Sequence, residues 1–194
     1  LGIRENTLII FTSDNGGHKN VWKGFKTNGK LRGYKRDLYE GGIRVPFIAS
    51  WPGFIPAGHQ SDEVIGFQDM LPTFAGLANA AVPVNIDGIS VVEALKGNAL
   101  TENSRVLYWD FGHTRQRYDQ AVRIGNWKGI RRGQGQAIEI YDLVGDISEQ
   151  HNLANAHPEL VNKIDRLMET MVIPSPRYPV GEAYKGGPIW KKDW

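Results

Sequence analysis

Thr7-Leu8-Ile9-Ile10-Phe11-Thr12-Ser13-Asp14-Asn15-Gly16-Gly17 reads as a strand that runs into a polar turn. Thr7 to Ser13 is a short, almost unbroken apolar and β-branched run. That pattern predicts a strand buried on both faces, as inside a parallel sheet. The run stops at Asp14-Asn15, and Gly16-Gly17 follow. In open α/β sheets, ligands gather just beyond the carboxyl ends of the strands. A carboxylate beside a carboxamide there offers hard oxygen donors suited to Ca²⁺ or Mg²⁺. The glycines relieve crowding and admit positive φ. Taken alone, Asp-Asn-Gly-Gly after a strand is more often a plain turn than a metal site.

Outward from this stretch, residues 17–38 form a long polar loop rich in Gly, Lys and Asn, with no helical period. Loops of this length inside a compact domain are usually functional or disordered. Val45 to Trp51 is a second strand, entered through Pro46. A buried strand at residue 7 needs neighbours on both sides, and only this one comparable run follows nearby. The expectation is therefore that the polypeptide is a piece of a larger protein.

Three motifs in order carry a resemblance. They are Ser13-Asp14-Asn15-Gly16, then Lys35-x-x-x-x-Glu40-Gly41-Gly42-Ile43-Arg44-Val45-Pro46, then Trp51-Pro52-Gly53. Together they resemble the C-terminal half of the formylglycine-dependent sulfatases, the arylsulfatase family of the alkaline-phosphatase-like superfamily. The resemblance covers most of the chain and is strongest over residues 7–95. It implies an α/β fold: the C-terminal part of a sulfatase core over residues 1–100, carrying the metal and sulfate-binding loops. A small α+β subdomain would occupy residues 101–194, with an antiparallel sheet, one packed helix and an extended tail.

The resemblance also implies roles. Asp14 and Asn15 match two protein ligands of the sulfatase metal ion, Ca²⁺ or Mg²⁺. The other ligands in the family are an Asp-Asp pair, which this sequence lacks. Lys35 matches the lysine that contacts the sulfate group, as catalytic and substrate-binding residue. Its ammonium would offset charge building on the sulfuryl or leaving oxygen. Lys30 and Arg36 lie close by, and the spacing to Glu40 selects Lys35. His18, just after the metal turn, and His113, in a loop with Arg115 and Arg117, are candidate substrate contacts. Their bland reading is as solvated loop residues. Glu40, Gly41, Gly42 and Arg44 read as structural, with Glu40 and Arg44 as an internal ion pair. The formylglycine cofactor, made from Cys or Ser in Cys/Ser-x-Pro-x-Arg, would lie in the missing N-terminal part. The chain has no Cys, and no Ser has that context.

Composition bounds the alternatives. The chain has 194 residues, 41% hydrophobic and 23% charged, as in ordinary globular domains. A net charge of +2 gives no electrostatic grip on nucleic acid. No apolar run approaches the roughly 20 residues that span a bilayer. The absence of cysteine excludes disulfides, thiolate metal sites and a cysteine nucleophile. Within the C-terminal region, short alternating runs over 105–109, 120–124, 127–131 and 137–141 predict an antiparallel meander. A helix is predicted over 158–172, and the proline-rich tail 173–194 should be extended. Further helices are predicted over 63–80 and 90–97, the latter with Ser90 as N-cap, Glu93 completing a capping box and Gly97 as stop. Tyr141-Asp142-Leu143, then Asp146, Glu149 and Asn152-Leu153-Ala154, resembles a turn of sulfatase C-terminal regions, whose polar residues read as satisfying backbone groups.

The resulting expectation is a fragment of a bacterial-type sulfuric ester hydrolase acting on a sulfated carbohydrate or aryl sulfate. It would be extracytoplasmic by family habit. It would be inactive without the remainder of the sulfatase chain. Two other readings stay open: a phosphatase or phosphonate monoester hydrolase of the same superfamily, and a non-catalytic carbohydrate-binding or scaffold module.

Overall fold

The structure is a computed structural model that describes residues 1–19, 24–101, 105–112 and 117–173. The chain forms two compact units. One comprises Leu1–Thr12 with Pro46–Asn103, the other Ser13–Val45 with Ser104 onward.

The second unit is built on a four-stranded antiparallel meander in sequential order. Its strands are β3 (Val106–Phe111), β4 (Asp119–Ile124), β5 (Trp127–Arg132) and β6 (Ile138–Asp142). Each lies within two residues of its predicted run. Ile124 pairs directly with Trp127, leaving a two-residue turn at Gly125-Asn126. Gly125 has φ 54°, which suits the first central position of a tight hairpin turn.

The two faces of this sheet are covered differently. One face carries Val122, Ile138 and Ile140. It packs against the helix α4 (Pro158–Thr170), which buries Ile164 and Met168 completely. Pro158 stands at the first turn of α4, where a missing N–H costs nothing. Met171 caps the helix and is exposed. Gly129 on β5 lets α4 approach, because a Cβ there would stand 2.6 Å from Ile164 Cγ2. Gly129→Val should therefore overpack this contact and cost about 1–3 kcal/mol in thermal or denaturant unfolding. The opposite face carries Ala121, Ile130 and Tyr141. It is covered by Leu38 and Tyr39, with Ile43 alongside. Residues read as an open polar loop thus end in a segment that closes the second side of the sheet. That segment includes a short helix, α1 (Glu40–Ile43), unforeseen because paired glycines disfavour helix.

The first unit holds a two-stranded antiparallel ribbon, β1 (Ile9–Thr12) with β2 (Phe47–Ser50). This corrects the expectation of a parallel strand buried on both faces. Phe11 pairs with Ile48, and both are exposed, at 64% and 61%. Local sequence identifies the strand, but the direction of its neighbour depends on chain connectivity.

The predicted helix 63–80 is shorter. It consists of a 3₁₀ turn over Phe67–Asp69 and α2 (Met70–Leu77). The buried Asp69 carboxylate sets the start, accepting hydrogen bonds from the backbone N–H of Gly66 (2.7 Å) and Ile89 (3.0 Å). Thr73 Oγ1 accepts from Val91 N–H at 2.9 Å. The helix packs through these polar groups and Pro72, while Phe67, Leu71 and Phe74 are exposed. The second predicted helix is α3 (Val92–Leu95), which lacks the Ser90 cap and the capping box. Glu93 turns instead to Lys96 Nζ (2.8 Å) and Asn98 Nδ2 (2.7 Å). Gly97, at φ 91°, ends the helix as expected. The tail from residue 174, and His113 with Arg115, lie outside the described residues.

Candidate functional site

The turn after β1 is held by its own polar side chains. Ser13 Oγ donates to the Asn15 carbonyl at 3.0 Å, and Asn15 Nδ2 donates to the Gly16 carbonyl at 3.1 Å. Spending its amide nitrogen on the backbone leaves the Asn15 oxygen for another partner. Asp14 is exposed and Asn15 half-buried.

Glycines then allow a second segment to press against this turn. Gly16 is buried, and a Cβ on it would collide with the Gly41 carbonyl. Gly16 N–H donates to the Gly42 carbonyl at 2.9 Å. Gly17 N–H donates to Asn28 Oδ1 at 2.7 Å, and Asn28 Nδ2 donates to the Gly33 carbonyl at 2.9 Å. Lys35 N–H donates to the Gly17 carbonyl at 3.0 Å. The structure therefore brings the Asp14-Asn15 turn and the Lys35 loop together through backbone hydrogen bonds. Asn28, which bridges them, carries no sign of this role in the sequence. Two short polar side-chain bonds inside a loop leave no periodic signal.

Beneath these loops lies a buried charge cluster. Lys128 Nζ, on β5, stands 2.8 Å from Glu40 Oε1 and 3.0 Å from Glu149 Oε1. Lys128 and Glu149 are completely buried, and Glu40 nearly so. The contact to Glu149 Oε1 is an ion pair without hydrogen-bond geometry. Its other oxygen accepts the Glu40 N–H at 2.7 Å. The expected pair of Glu40 with Arg44 exists at 3.7 Å, but Arg44 is half exposed and Lys128 is the closer cation. Burial holds the Glu149 carboxyl above its usual range, opposed by Lys128 and the Glu40 amide. Glu149 also adopts φ 52°, a left-handed conformation costing a non-glycine residue about 1–2 kcal/mol.

Arg32 extends the cluster. Its NH1 donates to the Glu149 carbonyl (2.6 Å) and to Tyr141 Oη (3.0 Å), and its guanidinium lies 3.9 Å from the Tyr39 ring centre. Tyr39 and Tyr141 both donate to Glu139 Oε2, at 2.6 and 2.7 Å. Burial, then the Glu139 hydrogen bond, pushes the Tyr39 hydroxyl up to about 12. These phenols are structural donors, held protonated.

His18 is exposed just past the turn. Arg117 is engaged by Asp119, with NH2 donating to Oδ2 at 2.8 Å. Among the described residues no group of three or more His, Cys, Asp or Glu side chains is placed to hold a metal ion. Asp14 and Asn15 fit a hard cation by donor chemistry, as two of the roughly six to eight oxygens Ca²⁺ takes. Among the described residues no helix is long and apolar enough to cross a membrane.

Residues 32–173 match the family described as "N-sulphoglucosamine sulphohydrolase, C-terminal", and the chain belongs to that family of sulfatase C-terminal domains. Human arylsulfatase A is 33% identical, over 86% of this chain and 38% of its own length. An N-acetylgalactosamine-6-O-sulfatase of Bacteroides thetaiotaomicron is 29% identical, over 88% of this chain and 37% of its own. The crystal structure of Ps i-CgsB in complex with k-i-k-neocarrahexaose superimposes with a TM-score of 0.76 at 33% identity. That match covers 87% of this chain and 37% of that one. The fold is thus the C-terminal region of the alkaline-phosphatase-like sulfatases, and the chain spans well under half the length of these relatives.

Proposed function

We propose that this chain is the C-terminal part of a sulfuric ester hydrolase that cleaves sulfate esters of sulfated carbohydrates or aryl sulfates. The observation that carries the reading is the bond from Lys35 N–H to the Gly17 carbonyl, 3.0 Å long. It holds a candidate sulfate-contacting lysine against the turn bearing two hard oxygen donors. The names of the relatives, an arylsulfatase and an N-acetylgalactosamine-6-O-sulfatase, support this substrate class.

In this reading Asp14 and Asn15 would hold part of a Ca²⁺ (or Mg²⁺) site, completed by ligands from the remainder of the sulfatase chain. A formylglycine from that remainder supplies the nucleophile when present. Lys35 orients a sulfate oxygen and stabilises charge developing on it. His18 and His113 contact the non-reacting part of the substrate. Arg117 takes part only by giving up Asp119. The exposed apolar face of the β1–β2 ribbon supports docking against further chain, since a two-stranded ribbon is marginal alone. Residues 1–194 by themselves should not turn over sulfate esters. The placement of the whole protein is extracytoplasmic.

The test is the full-length protein assayed on an aryl sulfate, with calcium binding followed by titration calorimetry. Asp14→Ala should abolish both turnover and the calcium endpoint. Faster hydrolysis of the matching phosphate ester would favour the phosphatase reading instead. Unchanged ligand binding in Asp14→Ala and Lys35→Ala, with no turnover in the parent, would leave a binding module.

A further inference from the structure

We infer that Lys128 and Glu149 are positioning residues, whose buried hydrogen bonds to Glu40 fix the backbone on which the Asp14-Asn15 turn and Lys35 hang. The inference rests on the reading of Asp14, Asn15 and Lys35 as the metal- and sulfate-facing groups.

The connections form a continuous path. Lys128 Nζ holds the Glu40 carboxylate at 2.8 Å, and Glu149 Oε2 accepts the Glu40 N–H at 2.7 Å. Glu40 is thus gripped at side chain and backbone, at the first residue of α1. The next residue, Gly41, donates its N–H to the Arg32 carbonyl at 2.7 Å, while Arg32 NH1 donates to the Glu149 carbonyl at 2.6 Å. Gly42 in turn accepts the Gly16 N–H at 2.9 Å. Gly17, the neighbour of Gly16, accepts the Lys35 N–H at 3.0 Å. Each step is a direct bond or a single peptide unit. The clamp therefore reaches both candidate functional segments without any long flexible side chain in between.

The composition of the clamp argues for more than packing. A single buried lysine faces two buried carboxylates. Burying charges is costly, and apolar residues of similar volume often serve stability as well or better. Glu149 is also held in left-handed backbone conformation, and such conformations cluster where surrounding structure must dictate a geometry. What these polar groups supply that methylenes cannot is direction. The Glu40 N–H has one acceptor, Glu149 Oε2, and the carboxylate has Lys128 Nζ as its nearest cation, so the Gly41-Gly42 peptides are held facing Gly16. Residues supporting metal ligands in this indirect way commonly alter metal affinity or activity about 10–100-fold when replaced.

The experiment compares Glu149→Ala with Glu149→Gln in the full-length protein. The amide of Gln keeps an acceptor for the Glu40 N–H, and Ala does not. Neither change strips Lys128 of its Glu40 partner, so both variants should fold. Hydrogen exchange is read at Gly16 and Lys35, with Val122 and Ile130, on the two central strands of the sheet, as internal controls. In Glu149→Ala, Gly16 and Lys35 should exchange about tenfold faster while the sheet controls hold. Calcium affinity should fall about tenfold or more, and Glu149→Gln should stay close to the parent on both readouts. Exchange that rises equally at the loop and sheet amides, or does not rise at Gly16 and Lys35, would overturn the inference and leave a purely structural ion cluster. A parent protein that binds no calcium would count against the sulfatase reading alone, because the exchange comparison still decides whether the clamp positions the loops.

Discussion

Lys128→Met should destabilise the protein by about 3–5 kcal/mol, read as a fall in the denaturant midpoint at neutral pH. The lysine is completely buried between Glu40 and Glu149. Removing its ammonium leaves two carboxylates facing each other without water. Arg123 and Arg44 stand 3.9 and 3.7 Å from Glu40 Oε2, too far for a hydrogen bond, and Arg44 is half exposed, so neither replaces the buried ammonium. Glu149→Gln should behave very differently, because one lysine and one carboxylate then remain as a matched pair. Its effect depends on pH, with a sign set by the raised Glu149 carboxyl. A carboxyl whose folded pKa lies above the unfolded value, near 4.5, favours folding below that pH, and the benefit is lost as pH rises through the folded pKa. Gln has no such dependence. The stability of Glu149→Gln relative to the parent should therefore improve as pH rises from about 4.5 through the raised folded pKa. A gap that widens against the variant over that range would mean that the ionised Glu149 is net stabilising.

That cluster also marks the limit of what the sequence discloses. Strands β3 to β6 are legible because each carries its own signals: alternation along the strand and glycines at the turns, such as Gly125. The α4 helix is legible from Pro158 and the spacing of Ile164 and Met168. Lys128 sits in the same readable strand, yet its partner Glu40 lies 88 residues away and no local pattern distinguishes a buried lysine from a solvated one. Glu149 lies in a turn whose polar residues read as satisfying backbone groups, and it does so, but the amide it takes is that of Glu40, 109 residues away, which no local pattern names. The ribbon failed for a related reason. Ile9, Ile10 and Phe11 announce a strand but carry no information about which layer covers it or which way its neighbour runs. The candidate site was accessible through motif resemblance, since Asp14, Asn15 and Lys35 fall at spacings that the structure brings together. Its supports were not: Asn28, Arg32, Lys128 and Glu149 act through three-dimensional contacts. The Gly16–Gly42 approach shows how the motif is read physically. Its glycines are there because a Cβ on Gly16 would strike the Gly41 carbonyl.

Lys35→Ala in the full-length protein should lower kcat on an aryl sulfate by about 10²–10³, the usual cost of removing a donor aimed at developing negative charge. KM should change less, because such a donor acts more strongly on the transition state than on bound substrate. Lys30 and Arg36 make the comparison sharp, as nearby cations in the same loop. Arg36 is exposed and adopts φ 79°, placing it on the outside of the turn that follows Lys35. Lys30→Ala and Arg36→Ala should each leave kcat within about threefold of the parent, an effect at the level of screened surface charge. The backbone bond from Lys35 N–H to Gly17 survives in Lys35→Ala, so the loop keeps its anchor and the loss reports the ammonium itself. Lys35→Arg separates charge from shape: it keeps the cation but presents a planar fork in place of a compact point charge, and should recover only part of the rate. If Arg36→Ala rather than Lys35→Ala produced the large loss, the assignment of the sulfate-contacting residue would move by one position. The motif spacing to Glu40 would then be set by the Gly41-Gly42 packing alone.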